Sequence, residues 1–314
     1  MIDFRYHLVS LIAVFLAVAL GIIIGTTALN EPIQADIEGQ VTDLEQDKRA
    51  LEDRTQQLQA QLDTADSFGD AVAPVLVDGA LTASSVLLVV TNEDVAPETI
   101  EDVSTLITDA GGTVSGTLRL QPEYSDPSTA TSIQNFVTGA GTPAGIQLPP
   151  TDDSGQLVGS LLAQVLMVPP AGPVPDAAAL STVLGGLEAL DLVAQDTAVA
   201  PADQALVLTA GAFSGDDAAE RSTTVGELVA ALDAVGSGAV VAGDFGAEAE
   251  NGLVGVIRAD PALSATISTV DNVATSAGQI SAVLALANEG DGVSGQYGAG
   301  EDTQPVPPVP ATAP

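Results

Sequence analysis

The chain has 314 residues, with 42 acidic against seven basic side chains, a formal net charge of −35 and no cysteine. That balance excludes nucleic acid and anionic lipid headgroups as partners for the bulk of the protein, since both repel it. The lack of cysteine excludes a disulfide framework, a zinc knuckle and a thiol nucleophile.

From Leu8 to Leu29 there are 22 consecutive residues without a charge, reaching about 33 Å as a helix. The run is too long for the apolar region of a cleaved export signal, although Ala28 offers small-residue cutting geometry. It reads as an uncleaved transmembrane helix, residues 8–29, behind a cytoplasmic tip, residues 1–7. Arg5 and His7 precede it while Glu31, Asp36 and Glu38 follow, so the positive-inside rule puts everything after about residue 30 outside the cytoplasm. Ala13, Ala17, Gly21 and Gly25 recur every four residues, a small-residue ladder of the kind that brings membrane helices close together.

Residues 30–66 follow as a coiled coil. Ile37, Val41, Leu44, Leu51, Leu58 and Leu62 alternate steps compatible with a heptad seam, interrupted by the polar seam positions Lys48 and Thr55. In a parallel pair Asp47 of one chain would face Glu52 of the other, which is unfavourable. A homo-oligomer and a separate coiled-coil partner protein with a basic helix therefore both stand as expectations.

A Gly/Pro-punctuated connector, residues 67–84, leads to an extracytoplasmic α/β domain expected over residues 85–290. "SSVLLVV" reads as a buried strand, "PETIEDVSTLITDAGG" as a helix opened by Pro97, and "TVSGTLRL" as a second strand. The cycle returns with strand "QALVLTAG", helix "TVGELVAALDAVG" behind a Thr224–Glu227 capping box, and strand "GAVVAGDF". Strand "TISTVDNV" and helix "SAGQISAVLALANEG", with a Ser276–Gln279 box, close it. Two strand–helix–strand units imply a Rossmann-like body with a mainly parallel sheet. Residues 121–200 carry helical stretches at "QLVGSLLAQVLMV" and "DAAALSTVLGGLEAL" that serve either as an insertion or as cover for the sheet. Residues 291–314 are a Gly/Pro-rich tail, expected to be disordered.

Catalytic machinery is not legible. The sole histidine, His7, lies on the cytoplasmic side; the sole lysine, Lys48, lies in the seam; and no Walker motif exists. "GAFSG" is not a nucleophile elbow, and "VVTNEDVAP" after the first strand lacks the dinucleotide glycines. The doublets Asp152–Asp153 and Asp216–Asp217 are adjacent in sequence, which is not the flanking arrangement of a glycosidase, and no calcium-loop spacing occurs. No catalytic, cofactor-binding or metal residue is assigned, and the protein is expected not to be an enzyme.

"MIDFRYHLVSLIAVFLAVALGIIIG", the seam after it and the late segment "STVDNVATSAGQISAVLALANEGDGVSGQYGAG" resemble the actinobacterial copper transport outer membrane protein family, the MctB family. The resemblance implies copper efflux across a mycolic-acid envelope, a location in that envelope, an outer-membrane pore and no enzymatic activity; copper enters by resemblance alone. The sequence departs from the family pattern at Gln296, where "GQYG" stands for an expected GHYG. Copper(I) prefers thiolate, thioether and imidazole, and the chain offers only His7, Met1 and Met167 of these. One span and a chain that is 3% aromatic do not describe a β-barrel, so the residues favour a single-pass protein. A membrane-anchored scaffold that binds or regulates a partner in cell-wall remodelling or cell separation is the alternative reading.

Overall fold

The computed structural model describes residues 4–139, 141–300, 302–304 and 306–307 and, within residues 26–38, the backbone alone. Residues 1–65 and 66–314 form two units. Helix α1 (Phe4–Val77) makes up the described part of the first and opens the second. Between Val41 and Phe68 its sequence contains neither Gly nor Pro and is rich in Leu, Gln and Ala, all strong helix formers. The helix therefore continues through Phe68 to Val77, into the segment whose punctuation suggested a connector.

The second unit is a three-layer α/β body. In chain order come β1 (Ser85–Val90), α2 (Pro97–Asp109), β2 (Thr113–Leu120), α3 (Ala130–Thr138), α4 (Ser154–Leu166), α5 (Ala177–Glu188) and β3 (Val193–Gln195). They are followed by β4 (Gln204–Thr209), α6 (Ala218–Val235), β5 (Ala239–Gly243), α7 (Leu253–Ala259), β6 (Ser268–Val270), α8 (Ser276–Gly290) and β7 (Gln296–Tyr297). The sheet order is β3-β2-β1-β4-β5-β6-β7, parallel except where β3 meets β2. The mainly parallel sheet implied by the two strand–helix–strand units is thus present.

Both faces of the sheet are covered, which is why its central strands are continuous apolar runs. Successive side chains of β1 serve opposite cores: Leu87 and Val89 pack with α3, α4, α5 and α6, whereas Val86, Leu88 and Val90 pack with α2, α8 and the last turns of α1. Residues 121–200 supply α3, α4 and α5 to the first core and return to the sheet as β3, so they cover one face. The register of β1 on β2 shifts between Val86 and Leu87, and Gly116 fills the resulting bulge with φ +141°. A Cβ at Gly116 would stand 2.7 Å from Val199 Cα, so no larger residue fits there.

Three local expectations change. Helix α6 starts at Ala218, well before Thr224; the Thr224 hydroxyl donates to Glu220 O at 3.1 Å inside the helix, and the Thr224–Glu227 box caps nothing. The cap of α8 is Thr275, whose Oγ1 accepts from Gly278 N at 3.1 Å. Ser276 is freed to bond Asp66 and Asp70 of α1. Finally, Gln296–Tyr297, in the segment assigned to the tail, pairs with β6 as an edge strand.

Candidate functional site

Along the apolar part of α1, Phe4–Gly25 is long and apolar enough to cross a membrane. Ala13, Ala17 and Gly21 are exposed on it, and a Cβ added at Gly21 or Gly25 would meet no atom within 4 Å. Farther along, Val41, Leu44, Leu51, Leu58 and Leu62 are between 50% and 70% exposed. The side chain of Ile37 lies outside the described residues. The two polar positions in the row are satisfied by their own helix: Lys48 Nζ lies 3.5 Å from Glu52 Oε1, and Thr55 Oγ1 donates to Leu51 O at 2.8 Å.

In the body, the sheet order reverses between β1 and β4, since the chain proceeds outward from β1 to β2 and then returns to the other side of β1. In open α/β sheets such a reversal leaves a crevice at the carboxyl ends of the two strands. Here Thr91 Oγ1 donates to Thr209 Oγ1 at 2.9 Å and Asn92 Nδ2 donates to Ala210 O at 2.8 Å, holding the two strand ends together. The crevice contains a cavity of about 70 Å³ lined by Asn92, Glu93, Tyr124, Ser125, Phe213 and Arg221, among others. Arg221, in the first turn of α6, donates from Nε to Ser125 Oγ at 3.2 Å and from Nη2 to Pro122 O at 3.1 Å, with its guanidinium 5.2 Å from the centre of the Phe213 ring. Asn92 Oδ1 and Tyr124 Oη are buried and, among the described residues, have no hydrogen-bond partner. Burial, and secondarily the charge of Glu227, pushes the Tyr124 phenol well above the ordinary tyrosine range, so it stays a neutral donor.

None of these crevice residues stands out in the sequence. The one available signal is that Arg221 is among only three basic residues beyond residue 65. Of the acidic doublets, Asp153 Oδ1 caps α4 by accepting from Gly155 N and Gln156 N, and Asp217 occupies the residue before α6.

The Gly-Gln-Tyr-Gly segment is held by an ion cluster at the carboxyl end of β6. Arg258 Nη1 reaches Asp271 Oδ2 at 2.8 Å and Glu248 Oε1 at 3.1 Å, and its Nη2 donates to Tyr297 O at 2.9 Å. Asp271, fully buried, also accepts from Ala299 N and Gly300 N. Gly298 has φ +130°, and a Cβ there would collide with the Asp271 carboxylate. Position 296 therefore belongs to a structural fastening of the chain end, whatever side chain it bears.

For a metal, the soft donors of the chain are scattered: His7 is exposed on α1 and Met167 is fully buried in the body. Among the described residues no group of three or more His, Cys, Asp or Glu side chains converges in a way that could hold one.

Residues 1–308 match the family described as copper transport outer membrane protein, MctB. The chain belongs to this family. It is 33% identical over 312 residues to the copper transporter MctB of Mycobacterium tuberculosis and to that of Mycobacterium bovis, covering 98% of this chain and 99% of each relative. To the copper transporter MctB of Mycobacterium leprae it is 34% identical over 309 residues, 96% of this chain and 97% of the relative. A match of this extent spans both the apolar start of α1 and the Arg258–Asp271 fastening, so the family resemblance includes membrane-directed and structural parts of the chain alike.

Proposed function

We propose that this protein is a non-enzymatic, single-pass component of copper efflux in the cell envelope. The observation that carries the reading is the end-to-end match to proteins named as copper transporters. In this reading residues 8–29 cross the membrane with the N-terminus in the cytoplasm, and the body lies outside. The stalk, residues 30–66, associates copies through Ala13, Ala17, Gly21 and Gly25 within the membrane and through Ile37, Val41, Leu44, Leu51, Leu58 and Leu62 beyond it. Supporting this are the exposed row of leucines and the internal satisfaction of Lys48 and Thr55, which lowers the cost of covering polar seam positions. One span cannot enclose a path, so transport by this chain requires several copies.

Copper is cargo here. A body with 32 carboxylates and three arginines raises the local concentration of cations without a specific ligand set, which suits rapid release more than storage. The test is a deletion strain: it should grow poorly at raised copper and retain more cell-associated copper than its parent, with recovery on re-expression. Normal copper tolerance and content in the deletion strain would remove the proposal.

A further inference from the structure

The crevice at the carboxyl edge of the sheet has the composition of a ligand site. Among the described residues five buried side-chain polar atoms lack a partner, and two of them, Asn92 Oδ1 and Tyr124 Oη, belong to residues lining this one cavity. Tyr124 is 1% exposed. A buried acceptor and a buried hydroxyl left without partners are unfavourable, and a bound group with matching donors and acceptors removes that cost.

Arg221 adds the charge. The other two arginines of the body are paired with carboxylates, Arg119 with Asp196 at 2.7 Å and Arg258 with Asp271 and Glu248. Arg221 has no carboxylate within salt-bridge distance among the described residues; its bonds go to a hydroxyl and a carbonyl. Asp126 interacts with the guanidinium electrostatically without forming an ion pair, so Arg221, bonded only to neutral acceptors, keeps donors for an incoming anionic group.

The remaining groups narrow the ligand. Exposed Glu93 also lines the cavity, and Asp94 and Glu98 follow it toward the start of α2, so a phosphate dianion would be repelled. A ligand that carries a carboxylate for Arg221 and an adjacent N–H donor for Asn92 Oδ1 and Glu93 meets both signs. A volume of about 70 Å³, a few waters' worth, limits the buried part to a few heavy atoms. We infer that this crevice binds a small amino-carboxylate, as a free amino acid or as the C-terminal residue of a peptide. This inference does not rest on the copper efflux reading.

The experiment is calorimetric titration of the full-length protein in detergent micelles, with a chelator present so that copper complexes of the ligand play no part. Glycine probes the free amino acid, N-acetylglycine the peptide terminus, and glycinamide lacks the carboxylate. Saturable one-to-one binding of glycine or N-acetylglycine is expected, the tighter of the two naming the source, with glycinamide at least about tenfold weaker. Arg221→Gln should weaken binding by a similar factor while leaving the far-ultraviolet circular dichroism unchanged. If that variant does not fold, the comparison of glycine with glycinamide on the natural protein decides the matter alone. Absence of saturable binding by both carboxylates, equal binding of glycinamide, or undiminished binding by folded Arg221→Gln overturns the assignment.

Discussion

Glu289 illustrates how a single carboxylate can be set by its surroundings. It is 7% exposed at the amino end of β6, where Oε1 accepts from Ser268 N at 2.7 Å and Oε2 from Ser294 Oγ at 3.2 Å. Burial outweighs these bonds and, with the nearby charge of Asp233, pushes its pKa up to about 7 from an ordinary 4.5. Between those two values the folded protein holds a proton that the unfolded chain has released, so stability falls as pH rises across the interval. The thermal midpoint should drop from about pH 5 to about pH 8, and Glu289→Gln, which keeps an acceptor for Ser268, should flatten that drop by a few kcal/mol of stability. An identical pH slope in Glu289→Gln would show that other carboxylates are responsible. Nothing in the sequence around Glu289 separates it from the other acids; only its position under β6 does.

At the scale of elements, α1 carries an apolar row whose Leu44, Leu51 and Leu58 are each more than half exposed. Exposing Leu44, Leu51 and Leu58 together is unfavourable by about 1.5–3 kcal/mol for each side chain that association would bury fully. On the proposed association through this row, chemical cross-linking in membranes should give oligomers of the natural protein and monomers when all three are replaced by Gln; monomers of the natural protein, or oligomers of the variant, would remove the row as the association surface. Element identity was readable from periodicity in α2, α4, α5, β1, β2, β4 and β5, where apolar runs and Pro97 leave little choice. Element ends were less so. The Thr224–Glu227 and Ser276–Gln279 spacings match a capping box, but a box requires non-helical backbone at its first residue. The structure has Thr224 inside α6 and moves the α8 cap to Thr275 because Ser276 is drawn to α1.

At the scale of the whole molecule, self-repulsion among the carboxylates opposes compaction. Raising chloride salt from low to moderate concentration should raise the thermal midpoint at neutral pH, since screening acts on the compact state more than on the expanded chain. A midpoint that falls with salt would mean that ion pairs such as Arg258–Asp271 outweigh the net charge.

The sequence by itself determined the apolar span, the leucine row, the parallel α/β character of the body and, by resemblance, the copper transport family, because each depends on a pattern repeated along neighbouring residues. Only the tertiary structure decided the order of the sheet, the conversion of Gln296–Tyr297 into an edge strand and the meeting of Asn92, Tyr124 and Arg221 at one crevice. Those three residues are far apart in the chain, and no local pattern records that β4 returns to the other side of β1.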